Sequence, residues 1–140
     1  MSFISYNFSD SFKNQEKKEH LMAKDDYHYI VFKILTYLYS VIKREQSFDD
    51  MIFKKVIVTY DVKEEYLIDV LRMMSDENLI KGLKFCNAWG NEFILLNDFC
   101  DMQISPEGIR YLKENKTMRK IRKALLSQTG IITELVKIVL

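Results

Sequence analysis

The chain has 140 residues, enough for one domain with a substantial core. Its 21 basic and 20 acidic side chains nearly cancel, so no global field draws it to nucleic acid or to a membrane surface. Two cysteines, Cys86 and Cys100, argue against a disulfide framework and a four-thiolate zinc site, and no apolar run of about 18 residues predicts a membrane-spanning helix.

The first segment, residues 1–24, is polar and follows neither the helical nor the strand period, so we interpret it as a flexible arm. It lacks the basic region and apolar core of a secretory signal, which together with the few cysteines favours a cytoplasmic protein. The rest of the chain divides into a predicted core, residues 25–105, and a C-terminal helical extension, residues 106–140.

Two helices are predicted to open the core. The first begins at Asp25 or Asp26, covers about residues 27–44 and carries a wide apolar stripe. The stripe consists of Ile30, Val31, Ile34, Leu35, Leu38, Val41 and Ile42. The second helix covers about residues 48–56 and is predicted to be capped by Ser47.

A third helix is predicted over residues 62–78, and the core is organised around it. Asp61 and Glu64 have the spacing of a capping box at its start. Its apolar residues recur at helical spacing and predict one buried face. They are Val62, Tyr66, Leu67, Val70, Leu71 and Met74.

An antiparallel hairpin is predicted after the third helix. Its strands cover residues 79–85 and 93–96 around a turn over residues 86–91, and a short strand over residues 102–104 follows. Trp89 lies at the predicted tip, where we expect it to pack back on the sheet, with contact to a partner as the alternative. Three helices and a hairpin predict a mainly α fold with a small antiparallel β-hairpin, arranged as a winged helix-turn-helix with additional C-terminal helices.

The C-terminal extension contains three predicted helices. Ser105 is predicted to cap the first, with Pro106 at its first position and Asn115 at its end. A basic helix over residues 116–126 and a short apolar helix over residues 131–140 follow.

Part of this sequence resembles a known family. The run over residues 104–115, Ile-Ser-Pro-Glu-Gly-Ile-Arg-Tyr-Leu-Lys-Glu-Asn, is followed by Met-Arg-Lys at residues 118–120, and Leu-Ile-Lys-Gly-Leu stands at residues 79–83. These stretches resemble the YjcQ-like family, small winged-helix proteins of phages and prophages of low-GC Gram-positive bacteria, over about residues 27–126. The resemblance implies a fold and a phage or prophage context in a bacterial cell, rather than an activity.

The sequence offers no catalytic, cofactor-binding or metal-binding set. It has four glycines, no Gly-rich phosphate loop and no Gly-x-Ser-x-Gly elbow. His20 and His28 lie eight residues apart without an acidic partner motif, and we interpret His28 as a surface or capping residue. We therefore predict a protein that is not an enzyme and that takes no cofactor, metal or small-molecule substrate.

Positive charge is concentrated in the C-terminal extension. From Arg110 to Lys123, seven basic side chains stand against one acid, Glu114. A solvated helix face, a phosphate-binding surface and a site for an acidic protein are the three interpretations of this segment. The candidate nucleic-acid residues are Lys63, Arg72, Lys81, Lys84, Trp89, Arg110, Arg119, Lys120, Arg122 and Lys123.

The third helix has the wrong charge for a recognition helix. Its outward face carries four acids, Glu64, Glu65, Asp69 and Asp76, against one base, Arg72. Each of these carboxylates would repel a DNA phosphate, so the face is the candidate site for a host or phage protein.

The last helix is too apolar to remain in water, so it either covers the chain's own core or pairs with a second copy. The candidate dimerisation residues are Ile131, Ile132, Leu135, Val136 and Val139. Two hypotheses follow: a phage or prophage DNA-binding regulator that acts as a homodimer, and a protein-interaction module such as a phage-encoded inhibitor or adaptor.

Overall fold

The structure is a computed structural model and describes residues 26–57 and 62–140. The helices are α1 (Asp26–Ile42), α2 (Asp50–Ile57), α3 (Glu64–Asp76), α4 (Pro106–Glu114), α5 (Lys116–Leu125) and α6 (Ile131–Val139). The strands are β1 (Ile80–Lys81), β2 (Phe85–Asn87), β3 (Phe93–Leu95) and β4 (Gln103–Ile104), with one 3-10 turn over Phe99–Asp101. The fold is mainly α with small antiparallel strand pairs, as predicted. The predicted arm over residues 1–24, His20 and Asp61 lie outside these two ranges.

Helix α1 is the central element, and it is buried on all sides rather than along one stripe. Every residue from Tyr29 to Ser40 is buried, because α2 and α3 pack on it together with α4, α5 and α6. Ile42, predicted to belong to the buried stripe, is 49% exposed at the end of the helix. The predicted stripe is therefore confirmed from Ile30 to Leu38, wrong at Ile42 and incomplete, because the other sides of α1 are buried as well.

Burial of α1 extends to a lysine. Lys33 is 1% exposed, and its Nζ donates to the carbonyl of Ile57 at 3.4 Å and lies 4.2 Å from the ring centroid of Tyr29. Ile57 is the last residue of α2, where unsatisfied carbonyls carry the negative end of the helix dipole. The ammonium group thereby links α1 to the C-terminal end of α2.

Asp49, and not the predicted Ser47, caps α2. The carboxylate of Asp49 accepts from the backbone N–H groups of Met51 at 2.9 Å and Ile52 at 3.1 Å. Asp49 is itself held by α1, because its N–H donates to the hydroxyl oxygen of Tyr37 at 2.9 Å. The predicted start at residue 48 is therefore two residues early, since a side chain from α1 decides where the turn begins.

Helix α3 also begins two residues later than predicted, at Glu64. Lys63 occupies the N-cap position and makes no capping side-chain bond. Four residues of the predicted buried face, Leu67, Val70, Leu71 and Met74, are buried. Tyr66 is half-buried, and Val62 is half-buried and lies before the start of the helix.

Two helices end in the same backbone motif. After α1, the N–H of Glu45 donates to Ser40 and that of Arg44 to Val41, both at 3.0 Å. After α3, Leu79 and Asn78 donate to Met74 and Ser75 in the same pattern. This is the Schellman motif, and it places Arg44 and Asn78 in the left-handed region, with φ of 62° and 61°.

The predicted long strand over residues 79–85 is divided into β1 and β2. β1 pairs with β4, with Ile80 opposite Ile104 and Lys81 opposite Gln103. β2 pairs with β3. The turn between them is shorter than the predicted residues 86–91, because Cys86 and Asn87 belong to β2.

The division of the hairpin occurs at Gly82. Its φ is 99°, and a Cβ there would lie 2.2 Å from the carbonyl oxygen of Asp101, so the backbones approach too closely for a side chain. The amide of Asn97 bridges the gap by donating to the carbonyl of Gly82 at 2.8 Å and accepting from the N–H of Lys84 at 2.9 Å. A side chain therefore replaces the missing ladder bonds.

The predicted start of helix α4 is confirmed. Ser105 caps α4 by accepting from the N–H of Gly108 at 2.9 Å, and Pro106 takes the first helical position. The Ser105 hydroxyl also donates to the carbonyl of Asn78, which ties α4 to the end of α3. Asn115 ends α4 and caps α5 through the N–H groups of residues 117 and 118.

Candidate nucleic-acid interface

Helix α5 presents a cationic face because its apolar residues are turned into the core. Met118, Ile121 and Leu125 are buried against the rest of the protein. The opposite face carries four exposed cations, namely Lys116, Arg119, Lys120 and Lys123. The period of the sequence therefore sorts apolar and basic residues onto opposite faces of one helix.

Helix α4 packs against α5 and adds two exposed cations, Arg110 and Lys113. We refer to these two residues and the four exposed cations of α5 as the basic surface. Its members lie on two helices that pack against each other, and they include four of the predicted residues: Arg110, Arg119, Lys120 and Lys123.

The basic surface has a neighbour on α1. The Nζ atoms of Lys113 and Lys43 lie 5.2 Å and 5.1 Å from the ring centroid of Tyr39, within the range of a cation–π contact. Sequence reasoning missed Lys43, since its position beside α4 is set by packing and not by any local pattern. Two ammonium groups thus converge on one aromatic ring, and neither forms a salt bridge in the part of the chain that the structure describes.

The cations of the basic surface are free of acidic partners among the described residues. The salt bridges in residues 26–57 and 62–140 are Arg72–Asp76 at 3.2 Å and Lys137–Glu134 at 3.8 Å. Neither involves α4 or α5. Lys116, Arg119, Lys120 and Lys123 share α5 with no acidic residue, whereas Arg110 and Lys113 share α4 with the exposed Glu107 and Glu114. Because none of the six is engaged in a salt bridge within the described ranges, these side chains can approach an external anion.

Arg122 differs from the other predicted cations of α5. It is half-buried, and its guanidinium donates to the carbonyl oxygen of Leu140 at 2.9 Å. Arg122 therefore holds the end of α6 against α5, and we leave it out of the basic surface.

The face of α3 opposite its buried side is acidic, and its single base is occupied. Glu64, Glu65 and Asp76 are exposed and Asp69 is half-buried. The guanidinium of Arg72 pairs with Asp76, and its central carbon lies 4.3 Å from the ring centroid of Phe93 on β3. Arg72 thus joins α3 to the hairpin and offers no free charge to a phosphate.

Trp89 at the tip of the hairpin is 97% exposed, so the expectation that it packs back on the sheet was wrong. The strands β2 and β3 have three residues each, and the turn closes between Ala88 and Glu92. Such a short sheet offers no surface on which an indole at the tip could lie. Of the other predicted cations, Lys81 and Lys84 are exposed on the β1–β2 segment and Lys63 is exposed before α3.

Of the five candidate dimerisation residues, three are buried within the chain. Leu135, Val136 and Val139 have exposures of 8%, 1% and 5%, because α6 packs on α1. Ile132 is half-buried and Ile131 is 50% exposed. An exposed apolar edge remains on α6, formed by Ile131 and the 53% exposed Ile138.

A small acidic cluster lies in the 3-10 turn. Asp98, Cys100 and Asp101 are exposed and close enough to share a metal ion, whereas His28 and Cys86 are not part of this group. Both carboxylates already accept hydrogen bonds within the turn. The Asp98 carboxylate accepts from the backbone N–H of Asp101, and the Asp101 carboxylate accepts from the backbone N–H of Asp98. Partial desolvation and the charges of Asp101 and Asp98 raise the pKa of the Cys100 thiol, so it is protonated at neutral pH and is a weak ligand and nucleophile.

Within the described ranges, no helix combines the length and the apolar character needed to cross a membrane.

Comparison with known proteins gives a family match. The model of a family described as "YjcQ protein" matches residues 32–127, which is more than half of the chain. This range includes most of α1 and runs to the end of α5, while α6 lies beyond it. No curated protein and no solved structure matches the chain.

Proposed function

The chain belongs to the YjcQ family, and from that premise and its surface charges we propose that it is a winged-helix DNA-binding protein that holds the phosphate backbone through its basic surface. In this proposal it acts as a phage or prophage transcriptional regulator in the form of a homodimer. The observation that carries it is the set of six exposed cations on α4 and α5 without acidic partners in the described ranges.

The chemistry of phosphate binding fits this surface. Each cation that neutralises a phosphate releases condensed counterions from the duplex, and this release supplies most of the sequence-independent binding energy. Arg110 and Arg119 can each donate two parallel hydrogen bonds to one phosphate, while the lysines act as mobile point charges.

The proposal assigns α3 a different role from that of a usual recognition helix. Its three exposed carboxylates would meet DNA phosphates across a major groove, and Arg72 is committed to Asp76 and Phe93. Insertion of this face into the groove would therefore cost binding energy. The exposed Lys81, Lys84 and Trp89 make the hairpin the second contact, with the indole available to a sugar or a base.

The test is a duplex-binding titration over a range of salt with a matched pair of variants. The double variant Arg119→Ala/Lys120→Ala removes two charges from the basic surface, and Lys54→Ala/Lys55→Ala removes two exposed charges from α2. We expect the first variant to make the negative slope of log K against log salt shallower by about 2. The second variant should leave the slope unchanged. Equal slopes for both variants would contradict the proposal.

The homodimer is tested separately by solution mass. The exposed Ile131 and Ile138 form the apolar edge of α6 that a second copy would cover. We expect a two-chain mass for the wild type and a one-chain mass for Ile131→Ser/Ile138→Ser with its helical content retained. A wild type of one-chain mass at high concentration contradicts the dimer but leaves the DNA proposal standing.

A second candidate function is supported by the acidic face of α3. A surface with three exposed carboxylates and no free cation fits a basic protein partner, as in a phage-encoded inhibitor or adaptor of a host protein. Charge reversal in Glu65→Lys/Asp69→Lys would abolish capture of such a partner and would strengthen DNA binding. Capture that is unchanged by this reversal would contradict the second candidate.

A further inference from the structure

A cavity of about 460 Å³ lies between the C-terminal end of α1, the turn that follows it, and β4. It is distinct from the basic surface and from the acidic face of α3, and neither proposed function uses it. Its volume is in the range of small-molecule sites.

The cavity has an apolar floor and a polar mouth. Leu38, Met102 and Ile104 line the floor and are almost fully buried. Ile42 forms part of the wall and is 49% exposed, so an aliphatic side chain at the mouth of the cavity is left in contact with water. Burial of that side chain by an apolar ligand group would be favourable.

Among the described residues, Arg44 is the only charged one that lines the cavity. Glutamine and serine supply the other polar groups, from Gln46, Ser47 and Gln103. Within residues 26–57 and 62–140, the guanidinium of Arg44 has no salt bridge, and no carboxylate lines the cavity. The electrostatics of the mouth therefore favour an anion.

The backbone at Arg44 supplies an independent observation. Arg44 occupies the position of the Schellman motif that glycine usually takes, with φ of 62°. Asn78, at the matching position after α3, is a residue type that tolerates this conformation well, and arginine is not. A strained conformation at the mouth of a cavity is of the kind that binding sites retain because the side chain is needed there.

We propose that this cavity binds a small organic anion, with its carboxylate or phosphate held by Arg44 and its apolar part against Leu38, Met102 and Ile104. Ser47 and Gln103, which line the same cavity, are the candidate side-chain hydrogen-bond donors to this ligand. The ligand joins α1 to β4, the strand that pairs with β1 at the base of the hairpin. Binding at this site requires neither DNA nor a protein partner.

The test uses the full chain in solution, with amide and arginine side-chain NMR signals as the readout. The probes are octanoate and 3-phenylpropanoate as anions and 1-octanol as a neutral analogue. We expect saturable shifts at Arg44, Ser47 and Gln103 with dissociation constants on the order of 1 mM or tighter for the carboxylates, and binding of 1-octanol about tenfold weaker.

The variant Arg44→Gly separates a binding role from a structural one. It removes the charge and relieves the left-handed conformation, so we expect the Tm to be unchanged or higher while octanoate binding falls about tenfold to the level of 1-octanol. Arg44→Asn, which also tolerates this backbone, serves as the second variant, and Lys55→Ala on α2 is the matched loss of one charge that leaves probe binding unchanged.

Three results would overturn the inference. They are the lack of saturable shifts with either carboxylate up to about 10 mM, full octanoate affinity in Arg44→Gly and Arg44→Asn, and a lowered Tm in both variants. The last result would mean that Arg44 is retained for a structural contact.

Discussion

The start of α2, just after its cap Asp49, is decided by a side chain from another helix, that of Tyr37 on α1. Tyr37 on α1 holds the backbone of Asp49, and the Asp49 carboxylate then caps α2. Ser47 has the correct residue type for a cap but lies two positions too early. Residue type alone therefore predicted that a cap lies near residue 47, but it did not identify Asp49 as the residue that supplies it.

The two residues can be compared directly. We expect Asp49→Ala to lower the free energy of unfolding by about 0.5–2 kcal/mol, because two backbone N–H groups lose their acceptor. Ser47→Ala should change it by less than about 0.5 kcal/mol. Urea denaturation of both variants measures the difference, and a larger loss for Ser47→Ala would contradict the observed cap.

Gly108 is required by a close approach within the core. A Cβ at this position would lie 2.1 Å from the carbonyl oxygen of Leu79 and 2.9 Å from Cγ1 of Ile104. We expect Gly108→Ala to cost about 1–3 kcal/mol of stability, since α4 must move away from the β1–β4 pair. Glu114→Ala, at an exposed site on the same helix, is the control and should change stability by less than about 0.5 kcal/mol. An equal effect of the two substitutions in urea denaturation would mean that α4 does not pack this closely.

At the scale of elements, periodicity predicted the order of the helices and the hairpin, whereas contacts between elements decided the details. The cap of α4 by Ser105 and Pro106 is local, and it was predicted correctly. The division of the hairpin at Gly82 depends on the backbone of Asp101 and the amide of Asn97, which lie in another segment. No local pattern in residues 79–85 contains that information.

Helix α6 shows the same limit for burial. The apolar stripe of α1 predicted one covered face, whereas the helix is covered on its other sides too. One of the covering elements is α6, which lies 89 residues or more along the chain and outside the family match. Sequence reasoning left open whether α6 covers the core or a second copy. In the structure its buried side does the first and its exposed edge remains available for the second.

The two sides of α6 can be separated by a matched pair. Leu135→Ala opens a cavity against α1, and we expect it to lower the free energy of unfolding by about 2–5 kcal/mol. Ile138→Ala removes a similar volume from the exposed edge and should cost less than about 0.5 kcal/mol. Chemical denaturation at low protein concentration compares them. A reversed order would show that α6 does not pack on α1 through its Leu135 face.

At the scale of the whole molecule, charge is separated although the net charge is +1. Cations gather on α5, which has no acidic residue, and acids gather on α3, whereas the two bases of α4 are balanced in number by Glu107 and Glu114. The basic segment and the acidic helix were both evident from counts along the sequence. The Arg72–Asp76 and Tyr39–Lys43 pairs follow from their i, i+4 spacing on predicted helices. The contacts of Arg72 with Phe93, of Arg122 with Leu140 and of Lys113 with Tyr39 were not evident, because only the folded chain brings these residues together.

The most direct test of the proposed function is the salt dependence of binding to a random-sequence duplex by the full chain. With six cations on phosphates, we predict that log K falls linearly with log salt with a slope of about −5. A slope near zero, or an affinity no tighter than about 1 mM at the lowest salt, would contradict phosphate binding by the basic surface.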